Sequence, residues 1–282
     1  MNRLTNSQTA IKIFVLAFVS LLWSCSSDNE DPAPESPYKL IHSIVFPNKA
    51  VAFIHATEDY RTGYNKLVIE LKDSGNKAYT EADGIMLSPV MTMNSGMKHG
   101  CPVYQPTSTT KTGTFEGAIV FQMPGMPDMG SWEMKVSLMK NGAVLRENTT
   151  PISVKNKMMD YKNQQEGKAV IVRRIDGKNY VFGYHLTNDE AKVGNNPLLI
   201  TAHRMDGHFD FTPLTDLDVN ISPFMPSMGH GAPEGTKPAH KGEGKYEGSV
   251  NFSMTGDWQI KLNVKENEDL LFDDEAFYLE FN

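Results

Sequence analysis

Trp258-Gln259-Ile260-Lys261-Leu262-Asn263-Val264 is the stretch that decides the fold. Trp258, Ile260, Leu262 and Val264 alternate strictly with Gln259, Lys261 and Asn263. A period of two sends one set to a buried face and the other to water, as in a half-buried β-strand. Just before it, Tyr246, Val250, Phe252 and Met254 include a second run at spacing two. Thr255-Gly256-Asp257, between the runs, reads as a tight hairpin turn. The same pattern stands earlier in Trp132, Met134, Val136 and Leu138, here preceded by an inserted Pro124-Gly125-Met126-Pro127-Asp128-Met129. Strands are also expected over 66–71, 170–173, 181–186, 198–203 and 276–281, the last after an acidic turn from Glu266 to Glu275. No stretch has a helical period of useful length. Short strands separated by Gly and Pro read as antiparallel sandwiches, so the fold class is all-β.

The resemblance between the two regions extends to a full internal repeat. Ser88-Pro89-Val90-Met91 matches Ser222-Pro223-Phe224-Met225, and His99-Gly100 matches His230-Gly231. Gly113-Thr114-Phe115-Glu116-Gly117 matches Gly244-Lys245-Tyr246-Glu247-Gly248. Phe121-Gln122-Met123 matches Phe252-Ser253-Met254, and Gly130-Ser131-Trp132 matches Gly256-Asp257-Trp258. The order is kept and the period is domain-sized, which predicts two tandem domains rather than a solenoid. They are expected over 38–154 and 169–282, joined by a polar linker over 155–168.

Ahead of the repeat, Arg3 and Lys12 precede an apolar run from Ile13 to Trp23. That run is too short for a bilayer, which needs roughly 20 residues, and reads as an export signal over 1–24. Leu22-Trp23-Ser24-Cys25 resembles a bacterial lipobox, with Trp23 as a departure where a small or aliphatic residue is usual. The resemblance implies cleavage before Cys25 and a lipid on its thiol, which anchors the chain to a membrane. Residues 25–37 are acidic and Pro-rich with little to bury, and read as a flexible tether. An acidic run there resembles the surface-export signal of lipoproteins of Bacteroidetes-type bacteria. It predicts display on the outer face of the outer membrane, with a periplasm-facing anchor as the alternative.

Loss of Arg3 and Lys12 with the signal takes the net charge from -7 to -9. An acidic chain without a Lys/Arg cluster argues against nucleic-acid partners. Cys101 is then the one cysteine besides Cys25, so no intramolecular disulfide is expected. We find no nucleophile elbow, phosphate-binding glycine loop or His-Glu-x-x-His helix, and no carboxylate pair in an apolar setting. No catalysis is expected.

Met is abundant, with nine between Met86 and Met139. The first copy carries Met91, Met93, Met97, His99 and Cys101 in one Gly-containing loop, and the second carries Met225, Met228 and His230, with His240 beyond. Thioether sulfur with imidazole suits Cu(I), whereas zinc favours thiolate, imidazole or carboxylate. Equally, Met fills core gaps and builds adaptable contact surfaces. Met123, Met254, Trp132 and Trp258 read as core. His203 and His208 are weaker ligand candidates, and His42, His55 and His185 look isolated.

The shared unit, Ser-Pro-x-Met, a Met/His/Gly loop, Gly-x-aromatic-x-Gly and Phe-x-Met before Gly-x-Trp, resembles the YtkA-like domain, related in general appearance to the FixH-like and CopC-like groups. The resemblance covers the C-terminal half of each copy. It implies an immunoglobulin-like β-sandwich and suggests copper handling through Met and His. Two functions are expected in consequence: an extracytoplasmic copper-buffering or copper-transfer lipoprotein, with a metal-transfer or envelope protein as partner, or a non-enzymatic interaction module whose Met loops contact a protein or cell-surface partner.

Overall fold

The structure is a computed structural model that describes residues 36–157, 168–267 and 269–282. The export signal, Cys25, nearly all of the tether and the middle of the predicted linker lie outside the described residues. Residues 36–282 form a compact unit.

The first copy contains β1 (Lys39–Val45), β2 (Val51–Ala56), β3 (Gly63–Lys72), β4 (Gly84–Met93), β5 (Lys98–His99), β6 (Val103–Ser108), β7 (Thr114–Phe121), β8 (Gly130–Lys140) and β9 (Ala143–Ile152). They pair antiparallel into two sheets, β1-β2-β3-β7-β6 and β5-β4-β8-β9. The second copy contains β10 (Val170–Ile175), β11 (Lys178–Leu186), β12 (Gly194–Met205), β13 (Phe211–Pro213), β14 (Leu217–Met225), β15 (His230–Gly231), β16 (Ala239–Gly242), β17 (Lys245–Phe252), β18 (Gly256–Glu266) and β19 (Asp269–Phe281). Its sheets are β10-β11-β12-β17-β16 and β15-β14-β18-β19, the same orders with β13 added beside β12. The repeat therefore includes the N-terminal halves, where the sequences show no match.

Each copy buries its own core between its two sheets. In the first, Ile54, Ile69 and Phe115 of one sheet meet Leu87, Trp132 and Val136 of the other. In the second, Phe182, Ile200 and Tyr246 meet Val219, Trp258 and Phe277. The period of two is plain in β3 and β4, where buried and half-buried residues alternate. The repeated Gly-x-aromatic-x-Gly has a steric cause. Gly113 and Gly244 turn with φ of 71° and 67°, a left-handed region that favours glycine. A Cβ at Gly117 would stand 2.8 Å from the Tyr104 carbonyl, and one at Gly248 would stand 2.4 Å from that of Thr236. The intervening Phe115 and Tyr246 are buried.

Two expectations need correction. Thr255-Gly256-Asp257 is not a hairpin turn. β17 pairs with β12 and β16, whereas β18 pairs with β14 and β19, so the segment carries the chain from one sheet to the other. Alternation identifies a buried face but not a pairing partner. At this corner Trp258 Nε1 donates to the Met254 carbonyl at 3.0 Å, and the Met254 side chain is exposed rather than core. Met123, its counterpart, is half-buried against the first core. Secondly, the acidic stretch after Glu266 is mostly strand. β19 starts at Asp269, and its Glu275 is buried and paired with Lys168 and Arg173.

The copies touch through a small cluster of Tyr104, Ala118, Val120 and Val181. Two histidines of the second copy lie in this contact. His185 stacks on Tyr64 with centroids 5.0 Å apart, and His203 meets Tyr104 edge-on at 5.4 Å. The start of the linker is fixed: Thr62 N donates to Lys155 O and Lys155 N to Tyr60 O, both at 2.9 Å.

Candidate functional site

The Met/His loops occupy equivalent places, at the β4–β5 and β14–β15 turns. Met91 lies directly opposite His99 across one strand pair, and Met225 directly opposite His230 across the other. Directly opposed residues share a face of the sheet. Both Met side chains are core: Ile85, Leu87, Pro89 and Met91 are buried at spacing two, as are Val219, Ile221, Pro223 and Met225. Each His ring then meets the tryptophan of its own copy edge-on, His99 on Trp132 at 5.5 Å and His230 on Trp258 at 6.2 Å. Each Nδ1 faces the carbonyl of the following glycine, at 2.9 Å from Gly100 O and 2.7 Å from Gly231 O. The structure thus builds one Met–His–Trp arrangement twice.

The other predicted ligands are placed unevenly. Met97 and Met228 sit on the turns with 49% and 62% of their surface exposed. Met93 ends β4, half-buried. Cys101 is a buried free thiol in the first core, and burial raises its pKa. His240 is not brought to His230. It lies on β16 in the facing sheet, with its ring 5.2 Å from Tyr246. The inserted loop does lie beside the first turn, as Asn94 N donates to Met129 O at 3.0 Å and Asn94 Nδ2 to Pro127 O at 2.9 Å. In the second copy a carboxylate holds the turn instead, with Ser227 N donating to Asp257 Oδ2 at 3.0 Å. Among the described residues no group of three or more His, Cys, Asp or Glu could hold a metal ion.

The two loops differ in what covers them. Over the first lies the turn between β12 and β13 of the second copy. Gly100 N donates to His208 O at 2.7 Å. A Cβ at Gly100 would stand 3.2 Å from the Phe209 ring, 3.6 Å from Pro89 O and 3.7 Å from the Phe211 ring. A Cβ at Gly231 would meet only Pro223 O, at 3.0 Å. The strand beneath is the same, and the aromatic cover is missing. Accordingly His99 and Gly100 are buried, while His230 is half-buried and Gly231 exposed. Under its cover His99 Nε2 has no hydrogen-bond partner. The sequence alone does not reveal this cover. Its one signal there is Phe209-Asp210-Phe211 among polar residues, which gives no hint of where the turn docks.

A cleft of about 600 Å³ also lies between the copies, lined by Arg61, Tyr64, Lys66, Lys157, Tyr184 and His185 among others. Several of its charged groups have partners within it. Arg61 pairs with Glu58 at 2.8 Å, and the Lys157 ammonium stands 5.6 Å over the Tyr184 ring. His185 Nε2 is 3.4 Å from Asp189 Oδ1, but burial lowers its pKa to about 4, so the ring is neutral at pH 7.

A YtkA-like family model matches residues 179–263, which include the second-copy loop. No curated protein sequence matches the chain. Among solved structures, the Escherichia coli adhesin FdeC aligns at 15% identity and a TM-score of 0.26, over 84% of this chain and 65% of its own. A DUF4785 family protein of Legionella pneumophila aligns at 10% identity and 0.25, over 82% and 56%. Domains 5–6 of the S-layer protein SbsC align at 11% identity and 0.23, over 86% and 96%. The chain thus spans less than two thirds of the first two proteins, and TM-scores this low do not establish a shared fold. The protein is an all-β chain with partial YtkA-like homology.

Proposed function

We propose that this chain is an exported, lipid-anchored interaction module: two immunoglobulin-like sandwiches on a tether from Cys25, displayed on the outer membrane and contacting a protein partner through the second-copy Met/His loop. One observation carries the reading. The repeat builds the same loop twice, and where a neighbour is available the loop serves as a contact surface. The first-copy loop seats the 206–211 turn on Gly100, whereas in the second-copy loop Gly231 has no aromatic cover and Met228, like Met97, is exposed. Exposed Met is an adaptable contact residue. The test is a photo-crosslinking residue at position 228 of the full chain on intact cells, compared with one at the exposed Gly75. Adducts at 228, lost when His230 and Gly231 are substituted, support the reading. Equal labelling at both positions would overturn it.

Copper binding is the second reading, favoured by the buried, unpaired His99 Nε2 with Met91 opposite it. The donors would be Met91 and His99 in the first copy and Met225 and His230 in the second, with Met97 and Met228 on the turns. One imidazole with thioethers is a Cu(I) donor set, and a bound Cu(I) would give the chain a buffering or transfer role. A Cu(I) competition titration decides, run on the chain and on the variant with Met97, His99, Met228 and His230 changed to Ala. Tight binding lost in the variant supports copper, and equal binding by both removes it.

A further inference from the structure

The interaction reading leaves the chemistry of the partner open, and the first copy supplies it. At Gly100 the occupant is a turn, Asp206-Gly207-His208-Phe209-Asp210, followed by Phe211. It places two aromatic rings where a glycine leaves room for them, at 3.2 and 3.7 Å from the Cβ position. It is also acidic: Asp206 is paired with Arg204 at 2.7 Å, and Asp210 stands between the two phenylalanines.

At Gly231 the receiving surface is repeated. The glycine is kept, the proline carbonyl beneath it is kept, and the histidine beside it rests on the tryptophan. Directly across the strand pair from Gly231 is Phe224, half-buried, with the Lys261 ammonium 4.8 Å over its ring. Lys261 also reaches Asp274 at 2.7 Å, so it is a cation at the rim that already accepts a carboxylate. Resting on the interaction reading, we infer that the second-copy loop docks a turn of another protein that carries an aromatic side chain beside an acidic one, with the ring seated on Gly231 between Met228 and Phe224.

A second copy of this chain is a poorer occupant. Its 206–211 turn is already engaged at its own Gly100. The corresponding turn of the first copy, Asp73-Ser74-Gly75-Asn76-Lys77, has no aromatic residue to offer.

The test titrates the isotope-labelled full chain with a synthetic peptide of residues 205–211, followed by amide NMR. The expected shifts fall on Phe224, Met228, His230 and Gly231. A peptide with both phenylalanines changed to Ala should bind about tenfold more weakly, because buried aromatic anchors dominate such contacts. Met228→Lys, at a position too exposed to affect folding, should weaken the native peptide to a similar extent. No shift at these four amides up to millimolar peptide, or equal shifts from the Ala peptide, would overturn the inference. So would shifts at Gly100 alone, which would mean only displacement of the built-in turn, or a dimer abolished by Met228→Lys, which would make a second copy the occupant. Crosslinks at position 228 that persist while the peptide is silent would leave the interaction reading standing and remove the aromatic turn. Silence in both experiments would remove both.

Discussion

The two Met/His loops share strands, tryptophan, opposed Met and His, and following glycine, yet the His-Gly pair is buried in one and open in the other. The difference comes from above the loop. Phe209 and Phe211 cover Gly100, and nothing within 4 Å covers the corresponding side of Gly231 except the carbonyl of Pro223 on the neighbouring strand. A repeated motif can therefore be structural in one copy and free in the other with no change in the motif itself. What the motif does is decided by a turn that belongs to neither loop.

The comparison can be broken first at its common base. Trp132→Ala and Trp258→Ala each remove a fully buried anchor, and each should cost about 3–5 kcal/mol in denaturant unfolding. If one of the two were nearly silent, the copies would not be structural equals.

Acid should act on the contact between the copies. Burial, then the Lys245 charge, lowers the pKa of His203 to about 4, against an ordinary value of 6.5. His185 is lowered to about 4 as well, by burial and by Lys66 and Lys157, with Asp189 opposing. For a depressed histidine the unfolded state binds more protons between the two pKa values, so stability rises with pH over that window. Taking the protein from pH 7 to pH 4 should cost on the order of 3 kcal/mol at His203. His203→Gln should flatten the pH dependence measured by urea unfolding. An unchanged slope would mean that the ring is solvated at the contact.

Phe211→Ala should cost about 2 kcal/mol, less than a full core truncation because Phe211 is only half-buried. It should speed hydrogen exchange at Gly100 and leave Gly231 unchanged. Equal acceleration at both glycines would mean that the cover does not protect the loop. The smallest effect is chemical. Dilute peroxide should oxidise Met97 and Met228 well before buried Met91 and Met225, as peptide mass mapping would show, with stability changed by less than about 0.5 kcal/mol.

Much of this was legible in the sequence, for identifiable reasons. Strict alternation gave the strands, and the ordered Gly, Trp and Met matches gave the repeat, because those residues have jobs that few others can do. Gly117 and Gly248 face carbonyls too close for any side chain. The N-terminal halves match in topology but not in sequence, since their strands require only apolar residues toward the core, alternating in β2 and β3 and continuous in β11 and β12. Met91 and Met225 could have been assigned to the core by counting in twos from Ile85 and Val219. Pairing was less legible, because a run such as β18 is equally apolar on its buried face whichever strands flank it. The cover on Gly100 was not legible at all. It joins residues far apart in the chain through a backbone hydrogen bond and a glycine, and neither leaves a compositional trace.

The cover also sets an order in time. Chains are synthesised from the N-terminus, and their domains generally fold as units in that order. Until Phe211 has been made, the first copy has nothing to place over Gly100. A nascent chain ending in the linker would show the environment the same bare loop that the finished second copy shows permanently. Any chaperone or early partner that recognises that loop therefore meets it twice, once briefly and once for the lifetime of the protein.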